Sequence, residues 1–401
     1  MASVKIALFT PFSPTIGGGS VIFRSVLPHL AGADVRWFYL SSSPVDAPSS
    51  THLGPPIMGG PPAYDLVNTL RLFALESHPE VDRCVRAIRD WSPDVAWVNA
   101  MNEGILVGKK LLDAGIPHLH VSVHDDSAGL AIKSRRYRSL ASLMDRRNSQ
   151  LLRRAHSVDV VCNSMREYYK HRFGVDAGVV YRYIHDLRLP APRDASAPAF
   201  DGPIIRIGHV GSFYNSSSEV FAFVDALRSI AASDGIQFRF ENYGGVSAMT
   251  ATLQAKFPEV VENAGNVPED EVIRRLQSAA FVYSMYSFNP RHRLFRETSQ
   301  PTKISTYLMA GRPILAHCPN GSSTIDMLTR FKVGVCVSTM EQQGLIDAIR
   351  SILTFALDRE EVARAADYYC GPRSIDYLSS CFKSSQRTNL EAGFAGSPTA
   401  P

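Results

Sequence analysis

Ser299-Gln300-Pro301-Thr302-Lys303-Ile304-Ser305-Thr306-Tyr307-Leu308-Met309-Ala310-Gly311-Arg312-Pro313-Ile314-Leu315-Ala316-His317 reads as loop, helix, turn and strand. A proline stands at the first helical position, apolar residues follow three and four apart, Gly311 stops the helix, and Pro-Ile-Leu-Ala opens a strand. That is one αβ step of an open parallel sheet. Thr302 and Lys303 fall in the first helical turn, where backbone N–H groups lack partners inside the helix. With the lysine charge, those groups suit a phosphate. Taken alone, the helix reads more simply as amphipathic, with a solvated lysine on its surface.

The chain has 401 residues, more than one hydrophobic core usually organises, so two domains are expected. Hydrophobic residues at 45% and charged residues at 20% describe a globular protein. A formal net charge of +4, from 42 basic and 38 acidic side chains, is too balanced to indicate a nucleic-acid binder. Lys133, Arg135, Arg136, Arg138, Arg146, Arg147, Arg153 and Arg154 form a local basic cluster. It reads first as a solvated helix face and leaves peripheral contact with an anionic membrane open. The six cysteines show no C-x-x-C pair and no histidine at zinc-ligand spacing. They read as reduced thiols of a cytoplasmic protein. No window reaches eighteen apolar residues, and the first apolar run is too short for a signal peptide.

Lys5 to Thr10, Gly17-Gly18-Gly19 and then Val21, Ile22, Val26, Leu27 and Leu30 give strand, glycine loop and helix. Val35 to Leu40 is a second strand, and Ser41 to Pro62 is a long loop rich in Ser, Pro and Gly. Helices follow at Tyr64–Leu75, Val81–Arg89 and Glu103–Ala114, with strands at Val95–Val98 and His118–Val123. One long basic helix is expected to about Ala155, then strand Val158–Cys162, helix Met165–Phe173 and strand Val179–Tyr181. Residues 1–186 therefore form one α/β domain, and Pro, Ala, Asp and Ser over 187–203 mark a linker.

The alternation restarts with strand Ile204–Val210, and Ser216 with Glu219 forms a capping box. Phe238–Glu241 and Phe281–Met285 are strands, Asn289 to Ser299 is an irregular basic loop, and the α/β pattern continues to residue 372. A last helix over 373–385 is expected to return to the first domain, ahead of a frayed tail at 386–401.

Two such α/β units with these motifs resemble the GT-B glycosyltransferases, specifically the retaining enzymes that use nucleotide-sugar donors. The resemblance runs from Lys5 to Leu353. It implies two Rossmann-like α/β/α domains facing each other across a cleft, the first for the acceptor and the second for the donor. Gly17-Gly18-Gly19 is similar to the loop whose amides approach the donor, which puts Gly18 and Gly19 in the site. Val121-Ser122-Val123-His124-Asp125 is similar to the strand end whose histidine faces the sugar and acceptor. Gly244 and Val267 match the turns after two strands of the nucleotide domain, the second reading the base.

Pro301-x-Lys303-x-x-x-Tyr307 with Ala310-Gly311-x-Pro313 is the most specific match. It implies a helix start, Pro301 with Thr302, under the donor diphosphate and an acidic residue against the ribose. Thr306 stands where that acid is expected, and Thr298 stands at its partner position beside Glu297. A threonine brings one neutral oxygen where a carboxylate brings two charged ones, so it cannot hold two ribose hydroxyls as a carboxylate does. After Gly211 the relatives' cations are replaced by Ser212-Phe213-Tyr214-Asn215, so Lys303 with Arg291, Arg293 or Arg296 is expected to supply the charge.

The sequence is thus read as a hexosyl-type glycosyltransferase acting on an acceptor hydroxyl, with His124 and Lys303 as its catalytic residues. The acceptor is a glycan, a lipid-linked sugar or a small molecule. No D-x-D motif is present, so neither a metal nor a cofactor is expected. A GT-B scaffold without transfer activity and a nucleotide-sugar epimerase or hydrolase are the rival readings.

Overall fold

The computed structural model describes residues 3–15, 17–134, 136–186, 189, 204–213 and 217–394, with side chains as far as residue 383. The chain divides into two compact units, residues 1–183 with 372–401, and residues 184–371. The expected linker lies, apart from Leu189, outside the described residues, as does the expected capping Ser216.

Unit 1 is built on a parallel sheet of seven strands: β1 (Val4–Thr10), β2 (Ala33–Tyr39), β3 (Ser50–His52), β4 (Val95–Asn99), β5 (Leu119–Val123), β6 (Ser157–Val160) and β7 (Gly178–Val179). Their order is β3-β2-β1-β4-β5-β6-β7, which reverses direction between β1 and β4, where Ile6 pairs with Val95. Every residue of β4 and β5 is buried, the mark of a sheet covered on both faces. The helices are α1 (Gly18–Val26), α2 (Pro62–Phe73), α3 (Pro79–Asp90), α4 (Glu103–Asp113), α5 (Ser127–Lys133), α6 (Ala141–Arg154) and α7 (Asn163–Phe173). The one long basic helix is in fact two, because Ser134 turns to extended backbone and residues 136–140 form a turn that ends in a short 3-10 helix, Arg138–Leu140. Tyr137 and Arg136 of that segment are drawn to Asp65 on α2. The loop expected after β2 carries the short strand β3, paired in parallel with β2.

Unit 2 has six parallel strands: β8 (Ile204–Val210), β9 (Gln237–Tyr243), β10 (Val261–Gly265), β11 (Phe281–Met285), β12 (Ile314–His317) and β13 (Gly334–Val337). Their order is β10-β9-β8-β11-β12-β13, reversing between β8 and β11. The helices are α8 (Ser217–Asp234), α9 (Ala248–Lys256), α10 (Glu269–Leu276), α11 (Arg293–Thr298), α12 (Lys303–Ala310), α13 (Ser323–Phe331), α14 (Gln342–Leu353) and α15 (Arg359–Cys370). α11 replaces half of the expected irregular basic loop, stitched by the Arg293–Glu297 pair one helical turn apart.

A final helix, α16 (Arg373–Phe394), belongs to unit 1. It extends beyond the expected 385, so the first residues of the expected tail are helical, and residues 395–401 lie outside the description. Leu378 and Phe382 join the unit 1 core, with the Phe382 ring 5.2 Å from Trp97 and 5.3 Å from His120. Among the described residues, no helix is long and apolar enough to cross a membrane.

Candidate functional site

In unit 2 the side chains of interest gather at the carboxyl ends of β8 and β11, where the strand order reverses. Open α/β sheets bind ligands at such a switch point. α12 is buried at all eight of its positions, so Lys303 is not the surface charge of an ordinary amphipathic helix. Pro301 stands two residues ahead of the helix instead of at its first position, and Thr302 is the N-cap. The Ile304 amide still reaches the Pro301 carbonyl at 3.1 Å, continuing the turn back to the proline.

Lys303 Nζ donates to the Ser212 carbonyl at 2.9 Å and lies 3.2 Å from His209 Nε2. Burial pulls the ammonium down to about 7. His209 Nδ1 is 3.0 Å from the Tyr283 carbonyl, which can only accept, so Nδ1 carries the proton and Nε2 receives the lysine. Burial, with the Lys303 charge, keeps this imidazole neutral. Tyr307 ties α12 to both strands: its hydroxyl donates to Tyr283 O at 2.8 Å and accepts from Val210 N at 3.1 Å.

Gly211 has φ +81° and its amide donates to Tyr243 O at 2.8 Å. A Cβ on Gly244 would sit 2.9 Å from Gly211 O, an approach that only glycine allows. Val267 follows β10, half-buried, just before α10. Thr306 Oγ1 donates to Glu269 Oε1 at 3.0 Å, joining α12 to the first turn of α10. Thr298 is turned into its own helix, bonded to Leu294 O at 2.6 Å. Of the cations expected around the site, Lys303 reaches Ser212 and His209. Arg296 braces its own loop through Asn289 O at 3.3 Å, and Arg293 pairs with Glu297. His209 and Glu269 are the residues that the sequence reading did not single out. A lone histidine before Gly211 at the end of an apolar strand was the available signal for the first.

In unit 1, Gly17 at φ +96° precedes α1, which opens with Gly18 and Gly19. A Cβ on Gly19 would stand 2.9 Å from both His124 Nδ1 and Phe12 Cζ, so this glycine makes room for the histidine. The His124 ring lies 4.7 Å from Phe23, and its buried Nδ1 has no hydrogen-bond partner. Burial holds it down to about 4, hence neutral. Two further buried groups stand at the end of the neighbouring strand β4 and at the start of α4. Asn99 leaves both its side-chain N and O without partners. Glu103 accepts Ile57 N at 2.6 Å and Met58 N at 2.7 Å through Oε1, leaves Oε2 without a partner, and is raised by burial to about 7. Buried polar atoms left open in this way suit a polar ligand.

No family model and no curated protein sequence matches the chain. Solved structures do. Sucrose-phosphate synthase from Thermosynechococcus elongatus superposes with a TM-score of 0.61 at 18% identity, covering 98% of this chain and 100% of that one. The fold is GT-B. A UDP-forming α,α-trehalose-phosphate synthase from Burkholderia xenovorans, solved with glucose-6-phosphate, gives a TM-score of 0.62 at 14% identity over 95% of this chain and 100% of its own. The lipopolysaccharide outer core galactosyltransferase WaaB gives 0.62 at 13% over 95% and 99%. At these identities the likeness concerns the GT-B fold, which spans nearly the whole of each partner chain.

Proposed function

We propose that this GT-B chain is a glycosyltransferase that moves a hexose-type sugar from a nucleoside diphosphate donor to an acceptor hydroxyl, with retention of configuration and without a metal. The observation that carries the proposal is Lys303: a buried ammonium at the start of α12, held on His209 and Ser212 at the switch point of unit 2. A desolvated cation at the start of a helix, where the positive end of the helix dipole lies, suits an anion.

In the reaction the bond from the sugar to the diphosphate breaks, the diphosphate takes the electron pair, the acceptor oxygen forms the new bond, and the hydroxyl proton passes to the departing diphosphate. Lys303, with the amide of Thr302 at the start of α12, stabilises the charge that grows on the leaving group. Gly211, Ser212 and Gly244 line its approach with backbone, and Val267 lies toward the base. Glu269, bonded to Thr306, brings a carboxylate next to the place where the resemblance expects an acid against the ribose. In unit 1, His124 hydrogen-bonds a hydroxyl of the sugar or acceptor as a neutral imidazole, and the amides of Gly18 and Gly19 face the same ligand. The acceptor is a glycan, a lipid-linked sugar or a small molecule.

Thermal unfolding with a panel of nucleoside diphosphate sugars tests this reading. A donor at a hundred times its Kd raises stability by about 2.7 kcal/mol. If every nucleoside diphosphate leaves the unfolding curve unmoved, the chain is a scaffold and not a transferase. Release of free or epimerised sugar without any acceptor shows instead a hydrolase or epimerase.

A further inference from the structure

Five of the six large apolar side chains that stand exposed among the described residues lie on or just after α2: Tyr64 (63% exposed), Leu66 (44%), Val67 (49%), Leu70 (39%) and Leu75 (70%). The opposite face of the same helix buries Asp65, Asn68 and Thr69 beside Leu72 and Phe73. This is a surface helix turned inside out, since such helices put their apolar stripe inward and their polar residues outward. The inversion is built in, because each buried polar group has partners. Asp65 accepts from Gly59 N at 2.7 Å, Arg136 Nη1 at 2.8 Å and Tyr137 OH at 2.5 Å. Asn68 donates to Ile57 O at 2.9 Å and Thr69 to Asp65 O at 2.7 Å. Rotating α2 to hide its apolar face would break the bonds of Asp65 to Gly59, Arg136 and Tyr137 and that of Asn68 to Ile57.

The exposed charge around this face is positive. Arg71 lies on the helix itself, Arg138 comes directly after Arg136 and Tyr137, which bond Asp65, and Arg146 lies on α6, whose Arg147 Nε donates to Phe73 O at 2.8 Å. The nearby carboxylates are occupied: Asp65 is buried, and Glu76 is paired with Lys109 and Arg147. An apolar stripe flanked by exposed arginines is the pattern of a helix that lies in a membrane interface. A second copy of the chain fits it less well, because a self-association would bring Arg71 and Arg138 toward their own kind.

We propose that α2 is an interfacial helix. It lays Tyr64, Leu66, Val67 and Leu70 into the headgroup boundary of an anionic bilayer, with Arg71, Arg138 and Arg146 meeting lipid phosphates. The surface is independent of donor chemistry and stands whether or not the chain transfers sugar.

The test is co-sedimentation of the full chain with vesicles, either an equal mixture of phosphatidylglycerol and phosphatidylcholine or phosphatidylcholine alone. Binding to the mixed vesicles is expected, weakening as salt is raised. The L66Q/V67Q/L70Q variant is expected to bind at least tenfold more weakly with unchanged thermal unfolding, since all three positions are exposed. R71A and R138A each weaken binding about fivefold. The proposal is overturned if neither vesicle pulls the chain down, or if the triple variant binds as well as the parent. It is also overturned if sedimentation velocity shows a dimer that the triple variant dissolves, which would make the face a contact between copies.

Discussion

Lys303 Nζ and His209 Nε2 stand 3.2 Å apart, a buried base held by a buried neutral imidazole. With Nδ1–H committed to Tyr283 O, the imidazole offers the lysine an acceptor and no charge. The pair positions the ammonium without neutralising it.

The Lys303→Met variant follows from this. The folded lysine sits at about 7, below the unfolded value of about 10.4, so its cost is present in full below pH 7 and fades as the pH rises toward the unfolded value. Removing it is expected to leave the melting temperature equal or raised by about 2–4 °C at neutral pH, while abolishing any stabilisation by a nucleoside diphosphate. A large drop in melting temperature would make Lys303 a structural residue.

The same titration sets the pH dependence of donor binding. Diphosphate binds the charged lysine, which above pH 7 must first take up a proton. Calorimetry at pH 8 in buffers of different ionisation heat is expected to show uptake approaching one proton, with affinity falling as pH rises. Absence of uptake in the parent protein would contradict it.

Glu269→Gln should weaken donor binding by about 1–3 kcal/mol, roughly tenfold or more, by taking a charged acceptor away from the Thr306 hydroxyl and the ligand. Thr306→Val is expected to cost less, and the double variant to cost less than the sum, because the two side chains are bonded. Strict additivity in a titration series would show that they act separately.

Gly19→Ala places a methyl against His124 and Phe12. The expected cost is about 1–3 kcal/mol of stability in chemical denaturation, typical of overpacking. Gly17→Ala, strained by its positive φ but with open space around it, is expected to leave the His124 environment intact in NMR spectra of the imidazole.

His120 carries a different pH signature. Burial pulls this imidazole down, but hydrogen bonds with Asp159 (2.7 Å) and Cys381 outweigh it and leave it raised to about 9. A raised base contributes stability in full below the unfolded value of about 6.5, and that contribution is lost as pH rises through 9. Urea unfolding between pH 6 and 9.5 should show this loss. Asp159→Asn should remove the slope and cost about 3–5 kcal/mol at pH 6.

The sequence made the strands and the αβ rhythm legible because apolar runs such as Val95–Val98 are buried on both sides. β3 was not, because Ser50, Thr51 and His52 carry no apolar signal and owe their strand to pairing with β2. The break between α5 and α6 was hidden by helix-favouring arginines and depends on Asp65, far away in sequence. Lys303 and Pro301 were visible as a pattern, whereas the Thr306–Glu269 bond joins residues on separate helices and no local spacing announces it. The inversion of α2 was beyond reach for the same reason: periodicity finds the helix, and only its partners reveal which side is hidden.

Leu378 and Phe382 complete the unit 1 core, although unit 2 lies between them and the rest of that unit in the chain. During synthesis, therefore, unit 2 can finish folding first. The β4–β5 face around Trp97 and His120 must wait, uncovered, on the order of ten seconds or more while the intervening residues are made. Over that interval the growing chain presents an apolar surface that a chaperone can hold.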